Sequence, residues 1–166
     1  MQRSPIYTIV FATLICVACA IVVSSAAVSL KEKQETNAQL EGKRNVLLAA
    51  GLMAPDEDLP PEEVRERFGK VEAVAVDLRT GEPTDAVDPL AYDMQRAAKD
   101  PELSSRAPKN QAQIQRLPHY AVVYQVKDAQ GELQLVVLPV EGTGLWSTMY
   151  GFLALEADLD TVRGIT

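Results

Sequence analysis

Charge is almost missing from the first thirty residues. Between Ser4 and Leu30 lie 27 residues without a single Asp, Glu, Lys or Arg, and Arg3 is the one charged side chain before Lys31. Residues 31–166 therefore carry 15 basic and 23 acidic groups, a balance of −8. Clustered Lys and Arg are absent, which argues against nucleic acid as a ligand, since phosphate binding depends on them. The acidic surplus itself implies solubility and names no partner. Cysteine is confined to Cys16 and Cys19 inside the charge-free stretch, so residues 31–166 have no thiol and can form no disulfide. One histidine, His119, without an aqueous thiol leaves no basis for a His/Cys metal site.

What the first thirty residues do contain is a continuous apolar run, IYTIVFATLICVACAIVVSSAAVSL. At ~1.5 Å per residue, a helix over residues 4–30 reaches roughly 40 Å, longer than the ~30 Å hydrocarbon core of a bilayer. The run reads as a retained, tilted transmembrane helix. A cleavable signal peptide competes with this reading, because Ser24 to Ala27 supply small residues near a cleavage point. Against it stand the length of the run and a basic n-region that holds Arg3 alone. Lys31, Lys33, Lys43 and Arg44 behind the run tip the basic count slightly towards an inside location for the remainder. Cys16-Val-Ala-Cys19 has the form C-x-x-C, but a thiolate is strongly disfavoured in hydrocarbon. Packing explains the segment better. Ala12, Cys16, Ala20 and Ser24 recur every four residues and set small side chains on one helix face, where a neighbouring transmembrane helix can approach closely.

Residues 31–51 read as a juxtamembrane continuation of the helix, with Leu40 and Leu47 seven apart and Gly51 as its stop. Residues 52–166 are expected to form an α+β domain with a mainly antiparallel sheet. Pro61-Glu62-Glu63 has the form of a helix start, Val64 and Phe68 share its buried face, and Gly69 ends it. Residues 71–78 (VEAVAVDL) predict a strand closed by the turn Thr80-Gly81-Glu82-Pro83. Residues 84–118 are polar and proline-rich, which predicts surface loop with one short helix near 92–98. Alternation at Tyr120, Val122, Tyr124 and Val126, the turn at 128–131 and the apolar run at 133–140 predict a hairpin. Gly142-Thr-Gly144 predicts a flexible loop, residues 150–155 a third strand, and residues 161–166 the opening of a fourth. A chain ending within a strand predicts a C-terminally truncated polypeptide.

Chemistry-bearing motifs are sparse. G-x-G-x-x-G and the P-loop are absent, and Glu141-Gly-Thr-Gly144 lacks the helix-opening context of a nucleotide site. Ser104, Ser105 and Ser147 have no base beside them in sequence, His119 stands alone at a strand entrance, and the carboxylates are scattered. No catalytic residue is named on these grounds. Trp146, the single tryptophan, follows Gly142, Gly144 and Leu145. It fits either a core residue capping the sheet or a surface on which a flat heterocycle stacks.

Residues 137–157, VLPVEGTGLWSTMYGFLALEA, closely resemble a stretch of the C subunit of the sodium-translocating NADH:quinone reductase. Ser25-Ala-Ala-Val28 leading into Leu30-Lys-Glu-Lys-Gln34, Tyr92-Asp-Met-Gln-Arg-Ala-Ala-Lys99, Ile114-Gln-Arg116 and Val122-Val-Tyr-Gln-Val-Lys127 match that family in the same order. The resemblance implies a single-helix subunit of the bacterial inner membrane whose FMN-binding domain faces the periplasm. It implies an electron relay in a complex that couples NADH oxidation and ubiquinone reduction to sodium export, with other subunits as partners through the Ala12, Cys16, Ala20 and Ser24 face. In that family FMN is joined through its phosphate to a threonine in a Ser-Gly-Ala-Thr-x-Thr motif. No such motif occurs here, so no attachment residue is named and this stretch by itself is expected to be inactive and to bind FMN poorly. By the resemblance, Gly142, Gly144, Leu145 and Trp146 become a candidate flavin-pocket wall. The related G subunit of Rnf-type electron-transport complexes is the nearest alternative, and a membrane-anchored binding or assembly module without enzymatic function is another.

Overall fold

A computed structural model describes residues 5–166 of the chain. Arg3 and Ser4, both part of the reading of the N-terminal segment, lie outside the described residues. The chain divides into two compact units, one ending at Gln39 and one comprising Leu40–Thr166. Helix α1, Pro5–Ala49, begins in the first and ends in the second. In the first unit every described side chain is exposed, and the apolar run is one helix long and apolar enough to cross a membrane. Ile9, Ala12, Thr13, Cys16, Val17 and Ala20 line a shallow apolar groove along it. The small residues at 12, 16 and 20 create that groove by leaving a furrow between the larger side chains.

The second unit is α+β, as the sequence implies. Its elements after α1 are α2 (Pro61–Phe68), β1 (Val71–Asp77), β2 (Glu82–Pro83), α3 (Met94–Lys99), β3 (Ser104–Arg106), β4 (Arg116–Pro118), β5 (Tyr120–Lys127), β6 (Leu133–Thr143), β7 (Thr148–Glu156) and β8 (Val162–Ile165). A six-stranded antiparallel sheet has the order β2-β1-β5-β6-β7-β8, and β3 pairs with β4 in a separate ribbon. That ribbon departs from the expectation of loop at 84–118. Its strands are three residues each and mostly polar, too short for alternation to register. Arg116 fixes them by donating from Nε to the Ser104 hydroxyl at 2.8 Å and from Nη2 to the Ser104 carbonyl at 2.7 Å.

Local chemistry explains where the helices stop and start. At the end of α1, Gly51 takes a φ of +69°, Leu52 N donates to Leu47 O at 2.9 Å and Gly51 N to Leu48 O at 3.0 Å. This is a Schellman closure, which glycine enters without a Cβ clash. In α2, Pro61 occupies the first turn with Glu62 and Glu63 at the positive end of the dipole. Asp93 caps α3, its carboxylate accepting from Arg96 N at 2.9 Å.

One sheet face carries the core. Val46, Leu47 and Ala49 of α1 and Val64 and Phe68 of α2 pack with Val71, Val126, Leu135, Val137 and Ala154. Tyr124 stands edge-on between Phe68 and Phe152, with ring centroids 5.9 Å from each. Gly164 lets β8 approach the end of α1, since a Cβ there would fall 2.5 Å from the Ala49 carbonyl oxygen. Strand alternation sends the cross-strand pairs Val136 with Leu155, Leu138 with Leu153, and Leu153 with Ile165 to the other face. That face is apolar too, and Met149 and Ile165 on it are exposed.

Candidate functional site

The β6–β7 hairpin is longer than its sequence suggests. Gly142 and Thr143 pair with Met149 and Thr148, so the expected loop at 142–144 is largely strand. The physical reason is a second set of partners: Thr143 N donates to the Ala112 carbonyl at 3.0 Å, and its hydroxyl lies 3.5 Å from the Gln113 carbonyl. Gly144 N then donates to Ser147 O at 2.9 Å and closes the hairpin, leaving Leu145 and Trp146 as the two residues of the turn. A Cβ on Gly144 would sit 2.9 Å from both the Ser147 carbonyl oxygen and Met149 Cγ, so the turn closes this tightly only with glycine there.

Exposure is the decisive property of this tip. Leu145 is 91% exposed and Trp146 94% exposed. The reading of Trp146 as a core residue capping the sheet is therefore overturned; a two-residue turn projects both side chains beyond the strands and nothing among the described residues folds back over them. Met149 and Tyr150 on the returning strand are exposed as well. Gly142, Gly144, Leu145 and Trp146 thus fall together at one end of the sheet, but as an open platform, with no enclosure around the turn among the described residues. Burial of large apolar groups is the rule, and a fully exposed indole beside a leucine marks a surface built to be covered.

A strap of chain borders the platform. Asn110 folds residues 107–115 back on themselves: its Nδ2 donates to the carbonyls of Pro108 (2.8 Å) and Ile114 (2.9 Å), and its Oδ1 accepts from Ile114 N at 2.9 Å. Ala107 N donates to Gln115 O at 2.9 Å and closes the base. The strap reaches Thr143 through Ala112 and Gln113. Sequence reading placed nothing functional here; the signals are an asparagine spending its whole side chain on the backbone and a strained φ of +57° at Gln113.

Elsewhere the fold assembles groups that are distant in sequence. His119 Nε2 lies 3.0 Å from the Ser105 hydroxyl, so Ser105 has an imidazole beside it after all. Leu103 O accepts from His119 N, and β3 and β4 bring the pair together. Asp77 accepts from Arg79 Nη2 at 2.6 Å, Nε at 2.9 Å and N at 2.9 Å, and the Arg79 contacts hold its carboxyl down to about 2 despite some opposing desolvation. Because the folded-state value is depressed, the stability it contributes is present above about pH 4 and disappears as pH falls through about 2. Asp77→Asn is accordingly expected to melt below the wild-type chain at neutral pH, with the gap closing between pH 4 and pH 2 in thermal melts. A gap independent of pH would refute the assignment. On β6, burial raises the Glu141 carboxyl; its cross-strand neighbour is Tyr150.

A flat heterocycle fits this arrangement in its ring. The exposed indole and leucine provide an apolar seat, and the Gln113 main-chain carbonyl lies 3.5 Å from the hydroxyl of Thr143 on the strand that leads into it. Comparison with known proteins identifies relatives of the chain. The chain is 43% identical over 166 residues to the C subunit of the Na(+)-translocating NADH-quinone reductase of Pseudomonas aeruginosa, covering 98% of this chain and 62% of that protein. Its identity to the corresponding protein of Haemophilus ducreyi is 42% over 163 residues, covering 96% and 60%. The crystal structure of Shewanella oneidensis NqrC superposes with a TM-score of 0.68 at 36% identity, covering 77% of this chain and 58% of that one. No protein-family model matches the chain. The chain spans about three fifths of the length of these curated relatives. Over nearly all of its own length, it is a homologue of the C subunits, NqrC, of the Na+-translocating NADH-quinone reductases.

Proposed function

We propose that the chain is the membrane-anchored flavin relay of a sodium-exporting NADH:ubiquinone reductase. The single observation that carries the flavin part is the exposed Leu145–Trp146 turn, an apolar seat with no partner among the described residues. Bound there, FMN would supply reversible electron uptake and release. Leu145 and Trp146 would hold one face of the ring and keep water from it, and such burial tunes a flavin's potential. Gly142 and Gly144 keep the turn tight enough to present both side chains on one support.

The anchor is α1. Its charge-free first part spans the inner membrane, and the groove at Ala12, Cys16 and Ala20, continued by Ser24, receives a helix of a neighbouring subunit. Residues 31–51 lead out of the membrane, and residues 52–166 form the periplasmic flavin domain. The basic count behind the helix opposes that orientation weakly, because a very short N-terminal tail gives the rule little to act on.

The test is purification through a tag on this chain. From detergent-solubilised membranes it should bring down NADH:quinone reductase activity stimulated by sodium, together with flavin. Recovery of the chain alone from the soluble fraction, without residues 4–30, would contradict both the anchor and the complex.

A further inference from the structure

Strand β1 is fully paired along one edge and bare along most of the other. It runs beside β5 over the whole stretch from Val71 to Asp77 without a shift in register. On its outer side β2 meets only Val76 and Asp77, and one further bond runs from Thr84 N to the Ala75 carbonyl at 2.9 Å. Successive residues of an antiparallel strand turn their main-chain groups to opposite edges. Ala75 faces outward through that bond, so Ala73 and Val71 face outward too. Among the described residues, nothing on this outer side bonds the Ala75 N–H or either main-chain group of Ala73. A groove of about 480 Å³ follows the bare stretch, lined by residues 72–75 and by Pro83, Thr84, Asp85 and Pro89 of the segment that leaves β2.

We propose that the outer edge of β1 is a docking site for an extended segment of a partner protein that carries lysine or arginine. The inference is independent of the flavin reading above. An unpaired strand edge is recognised by another strand, whose N–H and C=O groups complete the ladder. Edges that stay unpaired are commonly blunted by lysine, proline or a bulge, and residues 71–75 contain none of these. Charge selects the occupant. The ionisable side chains lining the groove are Glu72 and Asp85, both exposed and both acidic. Lys127 on β5 also reaches Glu72, whereas Asp85 has no ion-pair partner among the described residues. A second copy of the chain would bring the same carboxylates edge to edge, and like charges opposed across strands destabilise the pairing. A basic segment meets them with the opposite sign.

The experiment uses the 15N-labelled chain in detergent micelles and two acetylated, amidated pentapeptides, one alternating valine with lysine and the other valine with glutamate. In the free chain the Ala73 amide should exchange with solvent at least about tenfold faster than the Val74 amide, which β5 holds. The lysine peptide should shift the Ala73 and Ala75 amides along one saturable curve and slow their exchange, while the glutamate peptide should do neither. Ala73→Pro removes an outward N–H without touching the β5 ladder and should abolish the response, read at Ala75. Asp85→Lys, an exposed substitution away from the ladder, should leave the fold intact and weaken the lysine peptide by about fivefold. Equal binding of the two peptides, no response to either, or an Asp85→Lys chain that binds like the wild type overturns the proposal. Protection of Ala73 that rises with protein concentration would assign the edge to a second copy, and protection at every concentration would mean that the edge is already covered; either result contradicts it as well.

Discussion

Replacing Leu47 with alanine is expected to destabilise the Leu40–Thr166 unit by about 2–5 kcal/mol. Leu47 is fully buried, at 0% exposure, where the last turns of α1 meet the sheet. Its neighbours Val46 and Ala49 are equally inaccessible, and Leu52 N bonds the Leu47 carbonyl in the helix closure, so the backbone cannot follow the truncated side chain inward. The full transfer and cavity costs then apply. Equilibrium urea unfolding of the unit, followed by circular dichroism, gives the value. A loss below about 0.5 kcal/mol, the scale of a surface substitution, would mean that α1 does not seal this core.

The second large effect concerns the membrane. Val17→Arg places a charge at the centre of the uncharged run, where arginine costs roughly 2.5–3.5 kcal/mol on the insertion scale and the lost valine adds a few tenths. Membrane integration should fall by about a hundredfold in equilibrium terms. An assay with reporter glycosylation sites on either side of residues 4–30 measures the inserted fraction and also gives the orientation. The wild-type chain should resist alkaline extraction and the variant should not. Equal extraction of both would show that the apolar run is not a span.

Much of this architecture was legible from residue pattern. The hairpin of β5 and β6 could be read because Tyr120, Val122, Tyr124 and Val126 alternate, and because Asp128 and Gly131 form a turn in which Gly131 adopts a φ of +88°. The α2 start was legible from Pro61 and two glutamates, and the α1 stop from Gly51. Three features were not. Gly142-Thr143-Gly144 has the composition of a loop, yet Ala112, Thr148 and Met149 hold its first two residues in strand geometry. Trp146 has the hydrophobicity of a core residue, yet the two-residue turn points it outward. Ser105 and His119 are fourteen positions apart, and only the pairing of β3 with β4 sets them 3.0 Å from each other. For the first and third a long-range partner decided the outcome, and for Trp146 the tight closure of the turn did; composition alone carries neither.

The platform itself joins these two layers. Its residues could be picked out as a glycine-framed Leu-Trp pair, but their exposure and the strap beside them belong to the fold. Exposure is what sets Trp146 apart from a packing residue and makes it a candidate for binding. A stacked ring on the indole is worth roughly 1–3 kcal/mol, which is about a fivefold to more than hundredfold difference in affinity.

Flavin emission tests that claim most directly. Binding by this stretch alone is weak, so FMN should lose fluorescence as the ring stacks on Trp146 only at high concentrations of the micelle-solubilised chain, and Trp146→Ala should need at least about fivefold more protein for the same quenching. Identical curves for the wild type and Trp146→Ala would mean that the turn does not hold the flavin.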